Sequence, residues 1–124
     1  MEFTKCLLVE DFGPLCNIVT KVIHLTLGND VKVLNSRTMA DARIKLTENP
    51  DIDIILVDSY LEFSTTHHLV WDIRGVFKGV IIGITNTSTY EGEQKEMMDA
   101  GCLHVCVKVG GELRKYLEHL AKEV

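Results

Sequence analysis

The chain has 124 residues and a formal net charge of −5, from 13 Lys and Arg against 18 Asp and Glu. Apolar residues make up 46% and charged residues 25%, the balance of one compact domain spanning 1–124, which excludes wholesale disorder, collagen and coiled coil. The acidic balance excludes broad direct nucleic-acid binding, which needs clustered cations, and the longest apolar runs, 54–57 and 80–84, are too short to span a membrane.

In chain order, residues 5–9 read as a buried strand. Glu10 and Asp11 follow at once, so this run is no secretory leader, and the cytoplasm is the expected compartment. Gly13 and Pro14 open a helix whose stripe is Leu15, Ile18, Val19, Val22 and Ile23, with Gly28 as its stop. Residues 31–34 are a second strand. Thr38 with Asp41 is patterned as a capping box for a helix lined by Met39, Ala42 and Leu46, ending at Asn49-Pro50. The nearly continuous apolar run 52–57 is expected of a central strand covered on both faces. Leu69, Ile73, Val76 and Phe77 give a third helical stripe, and 80–84 a fourth strand. Ser88 with Glu91 is a second capping-box pattern, ahead of Tyr90, Met97 and Met98. Residues 103–107 are a fifth strand, and Leu113, Tyr116, Leu117, Leu120 and Val124 line the last helix.

Five strands alternating with five helices predict an α/β fold, a doubly wound parallel sheet with helices on both faces. The flavodoxin-like strand order 2-1-3-4-5 fits five β-α units, with the ligand crevice where strands 1 and 3 diverge.

Cys6, Cys16, Cys102 and Cys106 form no Cys-x-x-Cys pair and have apolar neighbours, as small buried hydrophobes do. Cys102, His104 and Cys106 alternate, so on a strand they would share a face. A structural zinc site needs a fourth ligand and turn-based spacing, so a plain edge strand is the expectation. His67 and His68 diverge by about 100° on a helix and are expected as surface and partly packed side chains rather than a ligand pair. Trp71 is expected to be partly buried.

In a parallel open sheet, the residues after each strand converge at one edge. Here they are Glu10 and Asp11, then Asp58, Thr85 and Lys108, with Asn35 and Ser36 of strand 2 at the rim. Three crowded carboxylates repel unless a cation sits among them. A small all-oxygen ligand set suits Mg²⁺, which bridges to a phosphoryl group. Asp58, ending the central strand, is the candidate nucleophile for an acyl phosphate. Lys108 supplies a point charge and Thr85 a hydroxyl to the phosphoryl oxygens.

These residues are where the chain resembles the receiver domains of two-component response regulators, the CheY-like family. The motifs are Leu-Leu-Val-Glu-Asp (7–11), Ile-Asp-Ile-Ile-Leu-Val-Asp (52–58), Ile-Ile-Gly-Ile-Thr (81–85), Asp-Ala-Gly-Cys (99–102) and Val-Cys-Val-Lys (105–108). The resemblance covers essentially the whole chain. It implies that Asp58 accepts a phosphoryl group from a histidine kinase or a histidine phosphotransfer protein. It implies Mg²⁺ held by Glu10, Asp11, Asp58 and a backbone carbonyl at Tyr60, with Thr85 and Lys108 turned to the phosphoryl group. It implies a signalling phosphoacceptor rather than an enzyme, at most self-catalysing phosphotransfer and slow autodephosphorylation. Output would run through a partner protein on the face of helix 4, strand 5 and helix 5, with Tyr90, Met97, His104 and Tyr116. The family also uses that face for homodimers. Tyr60 and Thr87 stand where the family tunes phosphoryl lifetime.

Several positions depart from the pattern. Val109 replaces the proline after the lysine, and Gly110-Gly111 follow. Residues 59–64 replace a Met-Pro-x-x-x-Gly stretch, Asn86 replaces a small residue, and Val105 replaces the switch aromatic. These departures leave a second expectation standing: a pseudo-receiver, an interaction module of the same fold that works without phosphorylation. A flavin protein is disfavoured because Glu10-Asp11 would repel phosphate after strand 1. A small-molecule aspartyl phosphatase is disfavoured because Tyr60 stands where a second Asp is needed.

Overall fold

The computed structural model describes residues 1–86, 91–108 and 110–123. The elements are β1 (Lys5–Val9), α1 (Gly13–Leu27), β2 (Lys32–Ser36), α2 (Met39–Glu48), β3 (Ile54–Asp58), β4 (Tyr60–Leu61), β5 (Ser64–Thr65), α3 (His67–Arg74), β6 (Val80–Thr85), α4 (Glu91–Ala100), β7 (His104–Val107) and α5 (Glu112–Lys122). The main sheet runs β2-β1-β3-β6-β7 and is parallel throughout. That is the expected 2-1-3-4-5 order of the five core strands, flanked by five helices.

The strands are apolar on both sides because both faces are covered. Cys6, Leu8, Ile54, Leu56, Ile82, Ile84 and Cys106 pack with Val19 and Ile23 of α1 and Leu113, Leu117 and Leu120 of α5. The intervening residues Leu7, Val9, Ile55, Val57, Ile81 and Val105 face the other way, onto Ala42, Leu69, Ile73 and Met97 of α2, α3 and α4. Each β3 side chain from Ile54 to Val57 is fully buried. This two-sided burial is the main driving force for the fold and fixes the register, since a one-residue slip would exchange the two cores.

Local signals set the helix ends. Pro14 stands in the first turn of α1, and Gly28 ends it at φ 120°. Thr38 caps α2, its hydroxyl accepting from Asp41 N at 3.0 Å. Gly79 lets the turn into β6 pass close to β3, because a Cβ there would lie 2.5 Å from the Asp53 carbonyl oxygen. Arg74 ties the same turn together, donating to the carbonyls of Phe77, Gly79 and Gly101 at 3.2, 3.1 and 2.9 Å.

Several expectations are corrected. β2 runs from Lys32 through Ser36 rather than over 31–34, because its pairing with β1 continues from Lys5↔Lys32 to Val9↔Ser36. β3 begins at Ile54 and includes Asp58. α3 ends at Arg74, so Val76 leaves the stripe and is exposed. Trp71 is exposed, not partly buried, while Met97 belongs to the core and only Met98 is at the surface. β7 begins at His104, so Cys102 precedes the strand and joins the core opposite to Cys106. As expected, His67 is half-buried and His68 exposed, and their rings lie tilted at 4.1 Å between centroids. Thr87, Ser88, Tyr90, Val109 and Val124 lie outside the described residues.

The hairpin β4–β5 was not legible in sequence. Tyr60 pairs with Thr65 and Leu61 with Ser64, and the two turn residues, Glu62 and Phe63, have φ of 53° and 63°. Two left-handed central residues are the pattern of a type I′ turn, which normally recruits Asn-Gly. Glu62 repays part of the strain by accepting from Met39 N at the start of α2, 3.2 Å away. Phe63 is 95% exposed. Phe63→Gly is therefore expected to stabilise the protein by about 0.5–1 kcal/mol. Relief of roughly 1–2 kcal/mol of left-handed strain outweighs the entropy that Gly loses on folding. A higher urea midpoint at unchanged slope would show it.

Candidate functional site

The carboxyl ends of β1, β3, β6 and β7 meet at one edge of the sheet, as the sequence pattern expects. Glu10 and Asp11 follow β1, Asp58 and Thr85 are the last residues of β3 and β6, and Lys108 follows β7. Glu10, Asp58, Thr85 and Lys108 are buried, and Asp11 is exposed. One concave surface is lined by Glu10, Asp11, Asp58 and Lys108, with Phe12, Tyr60 and Asn86 at its rim.

Lys108 organises the cluster. Its Nζ lies 2.9 Å from Asp58 Oδ2 and 2.7 Å from Glu10 Oε2. Its backbone N donates to the Thr85 carbonyl at 2.8 Å, which anchors the residue just past β7. Burial acts to lower the pKa of this ammonium, but the hydrogen bonds and charges of Glu10 and Asp58 outweigh it and hold the pKa above its usual value. Burial pushes the Asp58 carboxyl up to about 6, with the Glu10 charge adding to it and Lys108 opposing. Asp58 Oδ1 accepts from Tyr60 N at 3.2 Å.

The backbone around these groups is fixed by bonds that the sequence pattern did not single out. Asn35, expected only at the rim, donates through Nδ2 to the carbonyls of Leu8 and Glu10 at 2.9 and 3.3 Å. Glu10 N donates to the Ser36 carbonyl at 3.0 Å, and Glu10 Oε1 accepts from Phe12 N at 3.2 Å. Thr66 Oγ1 donates to the Asp58 carbonyl at 2.5 Å, and Ser59 N to the Ile84 carbonyl at 2.8 Å. Asx and hydroxyl residues at strand and helix ends were the available signal, but their partners lie up to 27 residues away.

One carboxylate oxygen from each of Glu10, Asp11 and Asp58 lies within 4.8 Å of the others. Among the described residues Lys108 pairs with two of these carboxylates, Glu10 and Asp58, so three ionised carboxylates leave negative charge uncompensated. An all-oxygen set of this kind fits a hard divalent cation. A cation there would also offset the Glu10 charge that adds to burial in raising Asp58.

Among the described residues, no helix is long and apolar enough to cross a membrane. No protein-family model matches the chain, and no curated protein matches it. Its fold is that of solved response-regulator receiver domains. The Mn²⁺-bound response regulator Rcp1 is 19% identical, with a TM-score of 0.74 over 94% of this chain and 91% of that one. The BeF3-activated receiver domain of Klebsiella pneumoniae RstA is 19% identical, with a TM-score of 0.76 over 97% and 100%. The receiver domain of Saccharomyces cerevisiae Ssk1, solved with the histidine phosphotransfer protein Ypd1, belongs to a structure 13% identical, with a TM-score of 0.70 over 86% and 79%.

Proposed function

We propose that residues 1–124 form a single receiver domain that takes a phosphoryl group on Asp58 from a phosphohistidine-bearing kinase or phosphotransfer protein and signals by contacts with another protein. The carrying observation is the position of Lys108, within 3 Å of both Glu10 and Asp58 at the carboxyl edge of a receiver-type sheet.

The site's own residues account for the chemistry. An Asp58 carboxylate oxygen attacks phosphorus, the P–N bond to the donor imidazole breaks, and its electron pair leaves with that nitrogen. Attack needs ionised Asp58, so the burial that pushes the metal-free carboxyl up to about 6 opposes it and a bound cation favours it. Asp58 occupies a buried strand end, which holds it in place for attack. Lys108 donates to the carboxylate before transfer and to a phosphoryl oxygen after it. Thr85, buried beside it, supplies a hydroxyl to the same group. Glu10, Asp11, Asp58 and the Tyr60 carbonyl would hold Mg²⁺, which when bound neutralises charge between the carboxylates and the phosphoryl oxygens. The new bonds of Thr85 and Lys108 exist only with the phosphoryl group, so they favour one arrangement of the loops after β6 and β7. The α4–β7–α5 face would report that change to a partner or a second copy. We assign the domain to the cytoplasm and to signalling rather than substrate turnover.

Val105 favours a second reading. It is buried and sits where the family's switch aromatic stands, packed so that a Cβ on Gly83 would lie 3.1 Å from it. A constitutive interaction module would need no switch there.

Intact-mass spectrometry after incubation with acetyl phosphate separates the two. A receiver gains one phosphoryl adduct in Mg²⁺ and none in chelator. Absence of an adduct in both, with no stabilisation by beryllofluoride, would leave the pseudo-receiver.

A further inference from the structure

A second cluster of metal-ligating side chains lies on the α5 side of the sheet. His104 and Cys106, two residues apart on β7, face the same way, and Glu112 is the first residue of α5. One ring nitrogen, the Cys106 sulfur and one Glu112 carboxylate oxygen all lie within 4.8 Å of one another. We propose that His104, Cys106 and Glu112 form a site for a borderline-soft divalent transition metal, with Zn²⁺ the best fit, separate from the all-oxygen cluster at Asp58.

The ligand chemistry distinguishes the two sites. One nitrogen, one sulfur and one carboxylate oxygen suit Zn²⁺ or Co²⁺ and are poor partners for Mg²⁺. Tetrahedral zinc needs its ligand atoms about 3.3–3.8 Å apart. Glu112 is exposed at a helix start and has the freedom to close that gap. The His104 ring is already held, stacked on Tyr116 at 4.5 Å and 22°. Cys106 is free and fully buried, its thiol pushed up to about 12 by burial and by the Glu112 charge. Binding therefore exchanges the thiol proton for the metal: the S–H bond breaks, an S–metal bond forms, and one proton leaves to solvent. Three protein ligands leave a fourth position for water or an external ligand, unlike a closed structural site. The trio read from sequence used Cys102, which packs in the opposite core. Glu112 is the ligand that the fold supplies instead. Lys108 lies between Cys106 and Glu112 in the chain, so a metal there would tie together the two ends of the lysine-bearing segment.

The test is titration of the untagged full chain with Co²⁺, followed by competition with Zn²⁺. One equivalent of Co²⁺ should give a thiolate-to-cobalt charge-transfer band that Zn²⁺ abolishes, with a proton released per metal bound. Glu112→Gln, at an exposed position, and His104→Gln each remove a direct ligand and should weaken binding by at least the roughly tenfold that loss of an outer-shell partner costs. Asp58→Asn should leave the band and affinity unchanged. No charge-transfer band would overturn the site. So would a band indifferent to both Glu112→Gln and His104→Gln, or one lost in Asp58→Asn.

Discussion

Asp58→Asn is expected to take up no phosphoryl group from acetyl phosphate and Mg²⁺, and to fold more stably than the parent protein at pH 7–8. The first half follows from chemistry. An amide oxygen is a poor nucleophile, and among the described residues Asp58 is the carboxylate that ends a strand at the centre of the site. The second half follows from the cost of ionising Asp58. Its carboxyl titrates near 6 in the folded protein, against 3.8 ordinarily, with burial the main cause. Between those values the folded state binds more protons than the unfolded one, so stability falls as pH rises from about 4 to about 6. Above that window the full penalty persists. The difference between the two values caps it near 3 kcal/mol, and the solvent access of an open pocket brings the expectation to about 1–2 kcal/mol. Asn carries no charge, so this contribution to the pH dependence should disappear across the window. Lys108 keeps Glu10 as a partner at 2.7 Å, so the substitution strands no ammonium. Urea midpoints at pH 4, 6 and 8, set beside intact-mass spectra, measure both halves. An adduct on the variant would remove Asp58 as the acceptor. A variant less stable than the parent at pH 8 would mean that the Lys108 ion pair outweighs desolvation.

The sheet was legible because the physics that builds it is local in sequence. A strand covered on both faces is apolar along its length, and β3 and β6 carry that signature up to their last residues, Asp58 and Thr85. Edges were less legible. β2 extends to Ser36 through backbone pairing with β1, which polar side chains do not advertise. The hairpin after Asp58 was invisible because its turn uses Glu62 and Phe63 in a conformation that sequence patterns assign to Asn and Gly. The site residues were legible by type, since parallel topology gathers strand ends. Their energetics were not. That Lys108 contacts both Glu10 and Asp58, or that Asn35 holds the backbone beneath Glu10, depends on distances across the sheet. The His104–Cys106–Glu112 cluster shows the same limit: two ligands alternate along a strand, but the third arrives with the placement of α5.

Lys108→Met should destabilise the protein by about 3–5 kcal/mol at pH 8, and by less at pH 5 or in Mg²⁺. Methionine keeps most of the lysine stem and its packing, so the change isolates the charge. What it leaves is Glu10 and Asp58, 1% and 5% exposed, facing each other without their shared cation. Removing one partner of a buried ion pair costs several kcal/mol because the other charge stays desolvated. Lys108 itself contributes no pH dependence here. Its folded pKa lies above 10.5, so its stabilisation is complete throughout neutral pH and is lost only as pH rises through that higher value. The carboxylates set the slope. Without the ammonium, Asp58 should titrate even higher than about 6, so acid restores stability by protonating it. Mg²⁺ should substitute for the lost cation, adding about 1.4 kcal/mol at ten times its dissociation constant. Chemical denaturation of the variant at pH 5 and pH 8, with and without Mg²⁺, reads all of these effects. An equal loss at both pH values, unmoved by Mg²⁺, would show that Lys108 holds the site by packing rather than by charge.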